Sequence, residues 1–190
     1  MPTINPREAY PTILAALIAI APALAPPPAF AVANFEFGGT AADGMADLTT
    51  CDGRLIWDRE RDTCVEPRKG VLPDEALTNY AFALVKAERF EDALAALDLR
   101  ETPDDAKTLN YRGFATRKLG RVDEGISYYL KAVALAPRYV EVREYLGEAY
   151  VEKGRLDLAE QQLVVIETLC GTSCEEYSEL AQAIEESRAR

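Results

Sequence analysis

Apolar residues return at steps of three and four along the C-terminal two-thirds of the chain. In 122–135 they are Val122, Ile126, Tyr129, Leu130 and Val133; in 156–169 they are Leu156, Ala159, Leu163, Ile166 and Leu169. This period puts one stripe of each segment on a buried face, so it predicts helices and not strands. Helices are expected over about 104–119, 122–136, 139–153 and 156–169, with Pro137 closing the second of them. A less regular pair fills about 74–103, and the whole chain from Pro73 onward reads as helical.

The pattern also repeats as a unit. Gly113 and Gly120 reappear 34 residues later as Gly147 and Gly154, in matching surroundings: Gly113-Phe114-Ala115 against Gly147-Glu148-Ala149, and Leu119-Gly120-Arg121 against Lys153-Gly154-Arg155. A fixed period of this length marks a helix–turn–helix solenoid. Gly113 and Gly147 are expected to let the second helix of each pair lie close on the first. Gly120 and Gly154 are expected to make the tight turn between them.

The N-terminal third has another character. Residues 1–33 carry the apolar run 13–21 and then Ala29-Phe30-Ala31 and Ala31-Val32-Ala33, both of the A-x-A cleavage type, so they are expected to be an export signal. Prolines 22, 26, 27 and 28 cut the run short of the ~20 residues a membrane span needs, so no stable membrane anchor is expected after cleavage. The implied location is the bacterial periplasm. Residues 34–50 read as a flexible leader. In 51–66, Leu55-Ile56-Trp57 and Thr63-Cys64-Val65 flank a polar turn and predict a hairpin. The four cysteines of an exported chain should pair; of three pairings, Cys51 with Cys64 and Cys170 with Cys174 are the local ones.

Charge and composition remove several function classes. The net charge is −11, so nucleic acid is not an expected partner, because phosphate binding needs a basic face. There is no histidine, which excludes Ser-His triads, histidine acid–base catalysis and histidine metal ligands. Asp58, Glu60 and Asp62 alternate as calcium ligands do, but lack the glycine turn and the distal glutamate of such a loop. Asp104 and Asp105 open a helix, where negative charge is stabilising. No cofactor, metal or catalytic residue is expected.

Residues 74–169 resemble three tetratricopeptide repeats. Leu146, Gly147, Tyr150, Gly154 and Ala159 carry the likeness in the third unit, and Gly113, Gly120, Tyr129, Ala132 and Pro137 in the second. The first unit has Ala81 and Ala93 at the small positions, Glu88 at the turn where the others have glycine, and a second helix about two residues short. Gly125 stands where the family prefers alanine, which in a helix interior costs about 1 kcal/mol unless it allows closer packing. The resemblance implies an all-α fold over 73–188: a right-handed superhelix of about three helix–turn–helix units plus a C-terminal capping helix, with a small disulfide-closed β-hairpin before it. Ser173 and Glu176 form a capping box that would start this last helix.

The resemblance also implies a concave groove lined by the first helix of each unit. Projected on this chain, the lining is Thr78, Phe82, Val85 and Lys86, then Lys107, Asn110, Phe114, Arg117 and Lys118, then Glu141, Glu144, Glu148 and Glu152. It runs from apolar through basic to acidic. Phe82 and Phe114 are the expected anchors for a protein or peptide partner, with Arg117 and Lys118 beside them. The expected function is therefore a non-enzymatic interaction module, a periplasmic scaffold or adaptor. Homodimerisation through uncovered repeat ends is the alternative. A redox role for Cys170 and Cys174 is a further one, although Glu175 and Glu176 oppose a lowered thiol pKa; the structural alternative is a staple between the last repeat and the cap helix.

Overall fold

The structure, a computed structural model, describes residues 48–190. The expected signal, 1–33, and residues 34–47 of the expected leader lie outside the described residues. Among the described residues there are two short strands, β1 (Ile56–Asp58) and β2 (Thr63–Val65), followed by seven helices: α1 (Asp74–Lys86), α2 (Phe90–Leu97), α3 (Ala106–Lys118), α4 (Val122–Leu135), α5 (Val140–Glu152), α6 (Leu156–Cys170) and α7 (Glu175–Arg188). They form the three helix pairs the period predicts. Each pair packs on the next, and α7 lies against α5 and α6.

The turn inside each pair is built the same way. The amide of Arg121 donates to the carbonyl of Thr116 at 3.1 Å and that of Gly120 to Arg117 at 2.9 Å. Arg155 to Tyr150 and Gly154 to Val151 repeat the scheme, as do Arg89 to Leu84 and Glu88 to Val85 in the first pair. This double bond closes a helix only if one residue adopts the left-handed conformation. Gly120 (φ 81°) and Gly154 (φ 68°) do so freely; Glu88 (φ 58°) does so with a side chain attached. The polar turn and short α2 of the first pair thus follow the same geometry with poorer residues.

Packing explains the remaining small positions, with one departure from expectation. A methyl added at Gly113 would meet the Tyr129 ring of α4 at 2.6 Å, as expected of close pairing within a unit. One at Gly125 would meet the Gly113 carbonyl at 2.9 Å, so this glycine does allow closer approach. Gly147 differs: its added methyl would strike Leu180 of α7 at 2.5 Å. The smallness there admits the cap helix and not the unit's own second helix.

The core has two parts. One gathers Leu77, Tyr80, Leu84, Ala93 and Leu97 with Ile56 of the hairpin. The other gathers Tyr129, Val142, Leu146 and Ile166 with Leu180 and Ile184 of α7. Phe114 packs against both. Asp105 caps α3 by accepting from the Thr108 amide at 2.7 Å. Asp74 at the start of α1 holds the α2–α3 linker through the Thr102 hydroxyl and the amides of Glu101 and Thr102, which pull its pKa down to about 2.

β1 and β2 pair antiparallel, with Ile56 opposite Val65 and Trp57 opposite Cys64. Both local disulfides, Cys51–Cys64 and Cys170–Cys174, are formed. The hairpin sits on the first repeat. The Tyr80 hydroxyl accepts from the Cys51 amide at 3.1 Å and donates to the Leu55 carbonyl at 3.0 Å, while Arg89 donates to the carbonyls of Cys51 and Gly53. It therefore covers the apolar end of α1 and α2. At the other end the expected capping box is not made. Cys174, extended and tied to Cys170, is the N-cap of α7, with no side-chain cap bond. The helix starts one residue later than the box requires, which leaves Ser173 outside it.

Candidate functional site

The first helices of the three pairs and α7 stand side by side, and their polar and aromatic side chains meet in order across them. Between α1 and α3, the Phe82 and Tyr111 rings lie 5.5 Å apart and Lys107 donates to Asn79 at 3.1 Å. Between α3 and α5, Phe114 and Tyr145 lie 5.1 Å apart. Arg117 binds Glu148 at 2.7 Å and Glu152 at 2.5 Å. Between α5 and α7, Glu144 hydrogen-bonds Glu179.

The α1 and α3 part of this face is basic and aromatic. Lysines lie over three rings: Lys86 at 5.7 Å from the centre of Phe82, Lys107 at 5.9 Å from Tyr111, and Lys118 at 5.2 Å from Phe114. Such contacts hold ammonium groups near an apolar surface without neutralising them. Burial pushes the Lys107 amine down from its ordinary value, partly offset by Glu75, Asp105 and Glu141.

The α5 and α7 part is acidic. Burial raises the Glu141 carboxyl, although the hydroxyls of Tyr139 (2.9 Å) and Tyr145 (3.3 Å) both donate to it. Glu144 is only 3% exposed. Burial, the bond to Glu179 and the nearby charges of Glu148 and Glu141 push it up to about 10, so it carries its proton at neutral pH. Burial and neighbouring carboxyls both disfavour the ionised form.

Phe82, Phe114, Lys118 and Glu148 of the expected groove lining stand on this face at least partly accessible. Asn110, Arg117 and Glu144 do not. Asn110 is fully buried and donates to the Tyr139 hydroxyl at 3.2 Å; Arg117 is 4% exposed. Buried Thr78 is bonded within its own unit to Arg100, while Asn110 and Arg117 bond to the next repeat and Glu144 to α7. They were expected to face a ligand because they lie on the right side of their helices, but that side is where each repeat meets the next. Phe114 is likewise half-committed, since it packs into both cores. The sequence reading missed Tyr111 and Tyr145. They are 34 residues apart and three before and 31 after Phe114, so the repeat itself could have placed both on the face.

The family model of the tetratricopeptide repeat matches residues 81–137 and 112–164. Among solved structures, a crystal structure of PcrH in complex with the chaperone binding region of PopB is similar at 20% identity and a TM-score of 0.49, covering 63% of this chain and 98% of that one. No curated protein matches the chain. With the 34-residue period, the three identically closed turns and the stacked helix pairs, the family match identifies residues 81–164 as an array of tetratricopeptide repeats.

Proposed function

We propose that the protein is a non-enzymatic interaction module that holds a segment of a partner protein on its first-helix face. The observation that carries this is the series of lysines seated over aromatic rings: Lys86 on Phe82, Lys107 on Tyr111 and Lys118 on Phe114. The half-buried rings of Phe82 and Phe114 offer an apolar contact area over buried Tyr111, and the ammonium groups beside them fix the orientation of whatever lands there. Asn110, Arg117 and Glu144 beneath support this surface and keep neighbouring repeats in register. The Arg117 guanidinium holds two glutamates of α5 in place and does not meet the partner itself. The work is done in an oxidising compartment, the periplasm, as both disulfides favour.

The test uses peptides selected from a random display library on the immobilised protein. Peptides that bind this face lose binding to the double variant Lys86→Ala with Lys118→Ala, whose circular dichroism matches the parent because both lysines are exposed. Peptides that bind parent and variant equally would refute the reading.

A further inference from the structure

We propose that the first-helix face selects a partner segment of asymmetric charge. Carboxylates at one end lie over α1 and α3, an aromatic or aliphatic side chain sits at the centre, and lysine or arginine at the other end lies over α5 and α7. The inference rests on the reading above and names its partner's chemistry.

The argument is one of charge left over after internal pairing. On the α3 side, Arg117 is spent on Glu148 and Glu152, one cation against two anions. Exposed Lys86 and Lys118 lean on rings, which hold them in position without an ion pair; Lys86 also acts at longer range on Glu141, and Lys118 faces outward. On the α5 side, Glu141 is held by tyrosine hydroxyls, which neutralise nothing, and Glu176 of α7 adds a further negative charge near it. Glu144 is buried and protonated and adds no charge, so the α7 side of the face rests on exposed Glu179 and on Glu176. The face is thus positive at the α1 and α3 end and negative at the α5 and α7 end, with the rings of Phe114 and Tyr145 between.

Four helices at an interaxial spacing of about 8–10 Å span roughly 25–30 Å. An extended segment of about eight or nine residues crosses that distance. A partner segment of one sign would meet attraction at one end and like charge at the other, and like-charge contact is the stronger discriminator. The long-range field of a chain with net charge −11 would by itself favour an all-basic ligand. Preference for a segment with both signs therefore needs the local pattern.

The experiment uses three fluorescent peptides of about twelve residues with the same Phe-Leu centre. One has a glutamate block and a lysine block, one has glutamate on both sides, and one has lysine on both sides. Anisotropy titrations use the full chain at low salt and at about 0.5 M salt, where charge effects are screened. The two-sign peptide is expected to bind about tenfold tighter than either other peptide at low salt, with the advantage shrinking at high salt. Lys86→Glu with Lys118→Glu is expected to turn the preference to the all-lysine peptide.

Equal binding of the two-sign and all-lysine peptides overturns the inference, as does binding of no peptide, or a preference that survives the charge reversal. Equal binding of all three peptides that is nonetheless lost in Lys86→Ala with Lys118→Ala overturns the charge pattern and leaves the face standing. Binding that no face variant changes removes both. Light scattering of the protein alone covers the remaining occupant: salt-sensitive association abolished by Lys86→Glu with Lys118→Glu makes a second copy the ligand and overturns the inference.

Discussion

Glu144 offers the sharpest test of the packing between α5 and α7. Its carboxyl is 3% exposed. Burial first, then the bond to Glu179 and the charges of Glu148, Glu179 and Glu141, raise it from 4.5 to about 10. Tyr145, also near it, stays neutral in this range because burial raises its hydroxyl as well. A folded-state pKa above the unfolded one gives stability that is fully present below about pH 4.5 and lost as pH rises toward the folded value. Between these limits the folded state holds one more proton than the unfolded chain, so stability falls by about 1.4 kcal/mol per pH unit. At pH 7 the loss is about 3 kcal/mol. Glu144→Gln removes the titration but keeps an amide donor for Glu179. Urea or thermal unfolding of parent and variant, disulfides intact, is expected to give a gap that favours the variant and widens by about 1.4 kcal/mol per unit from pH 5 to pH 8. Near neutral pH this is a Tm difference of about 10 °C. Parallel stability curves would show that Glu144 titrates normally and that α7 is docked differently.

Three further outcomes follow from the packing. Glu88→Gly relieves a left-handed non-glycine residue and should raise stability by about 1 kcal/mol in urea unfolding. A loss there would mean the Glu88 side chain makes a stabilising contact. Gly113→Ala drives a methyl into the buried Tyr129 ring and should lower stability by about 2–3 kcal/mol in the same assay; a neutral result would mean that α3 and α4 can separate without loss. Cys51→Ser with Cys64→Ser opens a loop with a sequence separation of 13 and should cost about 3 kcal/mol in thermal unfolding. The proposed export is checked by a non-reducing peptide map of the protein from its native source, which should recover the 51–64 and 170–174 linked pairs and a chain starting near residue 32 or 34; an intact Met1 with free thiols would refute it.

Much of this fold is local and therefore legible along the chain. The step of three and four follows from the helix pitch, the 34-residue period from the length of one helix pair, and Gly120 and Gly154 from a turn that needs a left-handed residue. Each is set by neighbours in sequence, so no knowledge of distant contacts is required. The hairpin and the two local disulfides belong here too, because short loops favour near neighbours; the register, Ile56 opposite Val65, came from the structure. What the chain alone could not decide was how the side chains of one repeat share space with the next. Asn110, Arg117 and Glu144 lie on the expected face, yet lateral stacking buries them, and only the assembled array shows that Arg117 is bound to α5 and Glu144 to α7. Gly147 is small for the sake of Leu180, a residue 33 positions away. α7 starts after Cys174, which leaves the Ser173 hydroxyl outside the helix. Burial depends on which surfaces meet, and charge state depends on burial; both are properties of the tertiary arrangement, which no periodicity in the chain records.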